Sequence, residues 1–139
     1  MTDIYIDGAS SGNPGKSGIG YVIYRGGAAI VRESISLGVQ TNNFAEYMAL
    51  VFSLVGAMSL NEKECRVFSD SELLCEQING NYKVKNANLY PLFVLAKKII
   101  KNFDSFTITH IAREKNSEAD KLAKNAAQNV GNEGVNHGL

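Results

Sequence analysis

The order of strand-like and helix-like patterns is the feature that most constrains the fold of this chain. Apolar and polar residues alternate over 2–8, which predicts a strand with Asp7 at its end. A segment rich in turn formers follows at 8–18, and two more strand-like runs cover 19–25 and 28–37. Because only a Gly-Gly pair separates those two runs, the sequence predicts a three-stranded antiparallel meander.

The rest of the chain alternates between helix and strand. Apolar residues at helical spacing predict a first helix that is capped at Asn42 or Asn43 and extends to about Met58. The later elements are expected as a strand at 65–69, helices at 71–78 and 88–102, a strand at 106–110 and a helix at 117–128. Strands that alternate with helices usually lie parallel. We therefore expect one α/β domain over 1–130 with a mixed five-stranded sheet, and a flexible tail over 131–139.

Charge and composition restrict the location more than the function. The 14 basic and 14 acidic residues cancel, so the average charge does not indicate a nucleic-acid partner. If four of the acids surround cations, however, 14 basic residues face 10 acidic ones, which suits a polyanion. No apolar run approaches the roughly 18 residues that a membrane span needs, and a cytoplasmic location is expected. Cys65 and Cys75 lack zinc-site spacing and are expected to be reduced and buried.

Four acidic residues occupy positions that the predicted sheet could bring together. Asp7 and Asp70 would each end a strand, Glu46 lies in the first turn of the first helix, and Asp120 begins the last helix. Sites in open α/β sheets form outside the carboxyl ends of the strands. Clustered carboxylates repel one another unless cations are present, and hard oxygen ligands favour Mg²⁺ or Mn²⁺ over zinc. Two such ions about 4 Å apart would support phosphodiester hydrolysis.

Each acid also has a purely structural interpretation. Glu46 could complete a capping box with Asn43, and Asp70 could be the N-cap of the second helix. Asp120 could be a first-turn acid paired with Lys124 at i+4, and Asp7 an ordinary turn residue. The sequence leaves these alternatives open.

Four ordered motifs resemble those of type 1 ribonucleases H. They are IYIDGASSGNPG at 4–15, TNNFAE at 41–46, FSDS at 68–71 and NSEADKLA at 116–123. The resemblance extends from residue 4 to about 128. It implies a ribonuclease H-like fold with strand order 3-2-1-4-5 and the first three strands antiparallel. The insertion that forms a basic protrusion in many bacterial relatives is missing between 78 and 88.

The resemblance also implies an activity. The expected reaction is endonucleolytic hydrolysis of the RNA strand of RNA/DNA hybrids by two Mg²⁺ ions, leaving 3′-hydroxyl and 5′-phosphate ends. Mn²⁺ is the expected substitute, and the metal ligands would be Asp7, Glu46, Asp70 and Asp120. A monomer without membrane contact is the default expectation.

Further positions correspond to the family's substrate-contacting and proton-transfer residues. Expected substrate contacts are Ser10, Ser11, Gly12, Asn13, Thr41, Asn42, Asn43, Glu72, Lys83 and Lys85. The serines and Gly12 would contact 2′-hydroxyl groups, by which a protein distinguishes RNA from DNA. A mobile basic catalytic residue precedes the last acid in the family, and here His110 and Arg113 compete for that role, with Arg113 favoured.

Three alternatives share this fold class. The chain could be a non-catalytic hybrid-binding module, but such proteins typically lose one or more acids, and all four are present. It could be another nuclease of the same architecture, since fold does not determine substrate. It could also be a domain of a reverse transcriptase. The glycine-rich turn and the Thr41-Asn-Asn motif favour a ribonuclease H.

Overall fold

The computed structural model describes residues 1–129, which form a five-stranded sheet flanked by helices. The strands are β1 (Thr2–Ser10), β2 (Gly15–Arg25), β3 (Ala28–Gln40), β4 (Glu64–Ser69) and β5 (Ser105–His110). The helices are α1 (Asn42–Ser59), α2 (Glu72–Ile78), α3 (Tyr90–Ile100) and α4 (Ser117–Gln128). The strand order in the sheet is β3-β2-β1-β4-β5. Strands β1, β2 and β3 pair antiparallel, β4 pairs parallel with β1, and β5 pairs parallel with β4. This topology confirms the predicted fold. The predicted tail at 131–139 lies outside the described residues.

The first hairpin is longer than the sequence predicted. β1 continues past Asp7 to Ser10 and β2 already begins at Gly15, so the expected turn at 8–18 contracts to residues 11–14. The antiparallel register continues through Gly8 opposite Ile19 and Ser10 opposite Ser17. Backbone pairing with β2 outweighs the turn preference of these small residues, because it satisfies their hydrogen-bonding groups. The prediction that Asp7 ends the strand was therefore wrong.

The main hydrophobic core lies between the sheet and helices α1, α2 and α3. Ile4 and Ile6 are fully buried on one face of β1, opposite Leu50 and Leu54 of α1. Each such side chain contributes about 1.5–3 kcal/mol when it is removed from water. Both cysteines are buried and unpaired, as predicted. Within residues 1–129, no helix is long and apolar enough to cross a membrane.

Helix α4 packs closely against the opposite face of the sheet. Its buried residues are alanines, and they lie against Gly18 and Gly20 of β2. The Ser34 and Ser36 hydroxyls of β3 donate hydrogen bonds of 2.6 Å to carbonyl oxygens of α4. Small residues on both sides let the helix approach the sheet. This close contact determines where the first turn of α4, with Asp120, lies.

Substituting Gly20 by Ala tests this close packing. A Cβ atom there would lie 2.5 Å from the Ala119 carbonyl oxygen, so the helix or the strand must move. We expect the free energy of unfolding, measured by urea denaturation, to fall by about 1–3 kcal/mol. Thr107→Ala on the exposed face of β5 is the control. A loss at Gly20 no larger than the control's would contradict the packing argument.

Candidate active site

Two carboxylates stand side by side because β1 and β4 are parallel neighbours. Their pairing ends with Ile6 opposite Ser69, and the next residue of each chain segment is an aspartate, Asp7 or Asp70. Adjacent strands lie about 4.8 Å apart, so the two acids are neighbours even though β1 itself continues. Asp7 is only 4% exposed and the side chain of Asp70 only 6%. Both charges are therefore largely removed from water.

Glu46 joins these acids because α1 touches β1 at a glycine. A Cβ atom on Gly8 would lie 2.4 Å from the Ala45 carbonyl carbon, so only glycine permits this approach. The Gly8 amide donates a 2.7 Å hydrogen bond to Glu46 Oε1. The capping-box interpretation of Glu46 was therefore wrong, because its carboxylate binds the backbone of β1.

The helix caps differ from the predicted ones. The N-cap of α1 is Thr41, whose Oγ1 accepts a 3.2 Å hydrogen bond from the Phe44 amide, so a cap at Asn42 or Asn43 was wrong. The N-cap of α2 is Ser71, whose Oγ accepts from Leu74. In both cases the hydroxyl residue one position away takes the cap. Asp70 is not a cap, and its carboxylate is available to the acid cluster.

Asp7, Glu46 and Asp70 each offer a carboxylate oxygen within 4.8 Å of the other two. Burial, followed by the charges of Glu46 and Asp70, raises the pKa of Asp7 far above its ordinary value. Burial and the Asp70 charge also raise the pKa of Glu46, and the hydrogen bond from Gly8 offsets only part of this. The protein alone therefore resists holding three negative charges here.

The cluster fits a divalent cation with hard oxygen ligands. Among residues 1–129, Asp70 Oδ2 is buried and accepts no hydrogen bond, although the Arg113 Nε atom lies 3.8 Å away. A buried carboxylate oxygen without a donor is costly unless a cation binds it. Clustered carboxylates suit Mg²⁺-like ions rather than soft metals. Asp7, Glu46 and Asp70 are the residues that would hold such an ion.

Asp120 lies next to this cluster but outside the set of three. Its carboxylate lies close enough to Asp7 to raise the pKa of Asp7 further, and Lys124 Nζ lies 3.1 Å from its Oδ2 atom. The predicted i,i+4 pair with Lys124 is thus confirmed. The structure brings three of the four predicted acids together and places the fourth beside Asp7, and their roles as ligands stay a prediction.

Asn116 is a structural residue of the site that the sequence reasoning missed. It is 1% exposed, and its Nδ2 atom donates a 2.8 Å hydrogen bond to the Ile6 carbonyl oxygen, immediately before Asp7. It follows a 3₁₀ turn at Arg113–Lys115 that was not predicted, and its own carbonyl accepts from the Asp120 amide. Asn116 therefore connects the start of α4 to the acid-bearing strand. The signal in the sequence was an asparagine directly before a predicted helix, within the motif at 116–123.

The predicted substrate-contacting residues of the first turn and of α1 form one surface. Asn13 Oδ1 accepts a 3.0 Å hydrogen bond from the Asn42 amide, which ties the turn to the helix start. The Ser10 hydroxyl donates to the Gln40 carbonyl, next to the cap residue Thr41. The remaining members of this surface, all exposed, are Ser11, Gly12 and Asn43.

The other predicted residues lie around Asp70. His110 is exposed at the end of β5, where it pairs in register with Ser69. Arg113 is nearer to Asp70 than His110 is, because it forms an ion pair with the Asp70 carboxylate. Glu72 begins α2 and accepts a 2.8 Å hydrogen bond from the Tyr82 hydroxyl. This bond ties the exposed loop that carries Lys83 and Lys85 to the helix after Asp70.

Repulsion within the cluster predicts a pH-dependent stability in EDTA. The folded-state pKa of Asp7 is raised, so its contribution to stability is present below pH ~4 and is lost as the pH rises toward the folded value. Asp7→Asn cannot ionise. We expect it to raise the free energy of unfolding at pH 8 by about 1 kcal/mol or more, or Tm by roughly 4 °C, and to have little effect near pH 4.

Thermal denaturation at several pH values measures this difference. Asp104→Asn, at an exposed position, is the matched control. Equal destabilisation by Asp7→Asn at every pH would show that the charge of Asp7 is not strained in the folded protein.

Comparison with known proteins agrees with this geometry. Residues 5–126 match a protein family described as reverse transcriptase-like. The chain is 37% identical to ribonuclease HI of Halobacterium salinarum over 123 residues, and this alignment covers 88% of the chain. It is 31% identical to ribonuclease H of Campylobacter concisus over 143 residues, and that alignment covers 96% of the chain. The crystal structure of LC11-RNase H1 in complex with an RNA/DNA hybrid superposes with a TM-score of 0.87 at 37% identity, covering 92% of this chain and 97% of that one.

The relatives differ in length. The chain spans 62% of the Halobacterium protein and 34% of a Mycobacterium tuberculosis protein described as bifunctional, but 96% of the Campylobacter protein. The family match over residues 5–126 nevertheless includes Asp7, Glu46, Asp70 and Asp120. This chain belongs to the type 1 ribonuclease H family.

Proposed function

We propose that this protein is a divalent-metal-dependent endoribonuclease that hydrolyses the RNA strand of RNA/DNA hybrids. The observation that carries the proposal is the convergence of Asp7, Glu46 and Asp70 within 4.8 Å, with an Asp70 oxygen that lacks a hydrogen-bond donor among residues 1–129. A relative of 37% identity was solved with an RNA/DNA hybrid bound, which supports the substrate class. The cytoplasmic location and monomeric state remain predictions from the sequence.

The proposed metal ligands are Asp7, Glu46, Asp70 and Asp120. Two Mg²⁺ ions, or Mn²⁺ as a substitute, would activate the attacking water and neutralise charge on the leaving oxygen. The carboxylates would hold these ions beside the reacting phosphate, and the Gly8 amide fixes Glu46 in place. Hydrolysis forms one P–O bond to water and breaks the bond to the ribose 3′-oxygen. The 3′-oxygen takes up a proton, which leaves 3′-hydroxyl and 5′-phosphate ends.

The surface next to the acids is suited to reading a hybrid. Ser10 ends the strand that carries Asp7, and Ser11 and Gly12 follow it in the turn, where all three can reach 2′-hydroxyl groups near the cleaved bond. Further proposed contacts to bases, sugar or DNA phosphate are Asn13, Thr41, Asn42 and Asn43. The bond between Asn13 and Asn42 supports this assignment, because it holds the two halves of the surface together. Glu72, Lys83 and Lys85 are proposed to contact the hybrid on the Asp70 side.

Arg113 is the better candidate for the basic residue that assists proton transfer or product release. Its side chain is 76% exposed, yet its Nε atom lies 3.8 Å from the buried Asp70 oxygen. An exposed, flexible cation at this position can approach the reacting phosphate and withdraw. His110 is exposed at a strand end, and within residues 1–129 it forms no ion pair with an acid.

Strand-labelled substrates test the reaction directly. We expect internal cuts only in the RNA strand of an RNA/DNA hybrid, in Mg²⁺ or Mn²⁺ but not in EDTA, with RNA/RNA, DNA/DNA and single strands as controls. Asp70→Asn should lower the rate by about 10³-fold, because it weakens the binding of the cations that would stabilise the transition state. Asp104→Asn is the matched control. Hybrid binding without cleavage in either metal would instead indicate a recognition module.

Single-turnover cleavage distinguishes Arg113 from His110. We expect Arg113→Ala to lower the rate by roughly 10-fold or more and His110→Ala by less than about threefold, because Arg113 forms an ion pair with Asp70 and His110 forms none with the described acids. Arg113→Lys should restore part of the rate. The reverse order of the two alanine variants would assign the role to His110.

A further inference from the structure

A surface cavity adjoins Lys124, the ion-pair partner of Asp120, and none of the roles above uses the two lysines that line it. Its volume is about 490 Å³, and it lies between the β1–β2 hairpin and the C-terminal half of α4. The lining residues are Ala9, Ser10, Ser11, Lys16, Lys124, Ala127 and Gln128. Among residues 1–129, the lining thus combines two lysines and two serine hydroxyls and includes no carboxylate. A second cavity of about 410 Å³, by contrast, includes the carboxylates of Asp3 and Glu118.

The two lysines of this lysine cavity offer positive charge to an anion. Lys16 is exposed and forms no ion pair within the part of the chain that the structure describes. The Lys124 side chain is 59% exposed and its Nζ atom lies 3.1 Å from Asp120 Oδ2, so one lysine of the cavity lining also contacts the acid beside the cluster. Ammonium groups with neighbouring hydroxyl donors are suited to a phosphate.

The position of the cavity relates it to the strand that would be cleaved. Lys124 follows Asp120 by one helical turn, a rise of about 6 Å, which is comparable with the spacing of neighbouring phosphates along one strand. Ser10 follows Asp7 along β1 by about 10 Å. The Ser11 amide donates a 2.9 Å hydrogen bond to the Lys16 carbonyl, which joins Lys16 to the turn proposed to contact the ribose. A strand held at the acids and at this turn therefore passes the lysine cavity.

We propose that the lysine cavity binds a backbone phosphate of the RNA strand, one or two nucleotides from the cleaved bond. The inference rests on the proposed function, because it requires the acids to hold an RNA strand. It also explains how a chain of zero net charge gains local attraction for a polyanion beside a cluster of carboxylates. Lys16 and Lys124 are the binding residues, with Ser11 as a neutral donor.

Hybrid affinity in an Asp70→Asn background, where the substrate stays uncut, tests the proposal. Fluorescence anisotropy in Mg²⁺ should show that Lys16→Met and Lys124→Met each weaken binding by about three- to tenfold at 0.1 M salt. Each should also reduce the slope of log K against log salt by roughly 0.7–0.9. Lys121→Met, an exposed lysine of the same helix outside the cavity, is the matched control and should change affinity by less than about twofold.

A neutral methylphosphonate placed at single positions of the RNA strand identifies the phosphate. We expect the methylphosphonate to weaken binding at one position, within two nucleotides of the cleaved bond, when Lys16 is present. At that same position it should cause no further loss of affinity in Lys16→Met. Lys16→Met decides this point, because Lys124 also contacts Asp120. The phosphate site would be overturned if the affinity losses from the methylphosphonate and from Lys16→Met multiplied at every position, or if the cavity variants weakened binding no more than Lys121→Met. Either result would leave the nuclease assignment intact. Failure of the unsubstituted enzyme to bind or cut the hybrid would overturn both.

Discussion

Parallel hydrogen bonding between β1 and β4 is the interaction on which the site depends. It ends at Ile6 and Ser69, so the next residue of each segment, Asp7 or Asp70, comes to the same edge of the sheet. The helices then complete the site through close contacts with glycines. α1 touches β1 at Gly8 and brings Glu46, whereas α4 packs on Gly18 and Gly20 and brings Asp120. A few positions without a side chain therefore decide where four carboxylates lie.

This arrangement is costly for the folded protein. Burial and mutual repulsion raise the pKa of both Asp7 and Glu46, and the hydrogen bond from Gly8 offsets only part of the penalty. Arg113, at 3.8 Å, is too distant to hydrogen-bond the Asp70 oxygen. The core under α1 and the alanine-glycine contact under α4 supply the stability that tolerates this strain. Such local cost in an otherwise well-packed domain is typical of a site that binds an ion or reacts.

The mixed five-stranded sheet and the α4 boundaries could be predicted from periodicity and from the rule that strands alternating with helices lie parallel. The strand order was implied by the resemblance of the four motifs to type 1 ribonucleases H. The sequence could not predict that β1 continues past Asp7, because the pairing partner of Gly8 lies on another strand. It also misplaced both caps by one residue, since the choice between Thr41 and the following asparagines depends on local backbone geometry. The role of Asn116 depends on a contact across 110 positions, which no local pattern encodes.

Anomalous diffraction from crystals grown in Mn²⁺ tests the central claim most directly. We expect an anomalous peak bounded by carboxylate oxygens of Asp7, Glu46 and Asp70. One of its ligands should be Asp70 Oδ2, the oxygen that has no hydrogen-bond donor within residues 1–129. The absence of a peak there at saturating Mn²⁺, with the three carboxylates bound to each other or to Arg113 instead, would contradict the claim. In that case the convergence of the acids would be a structural feature of the fold rather than a metal site.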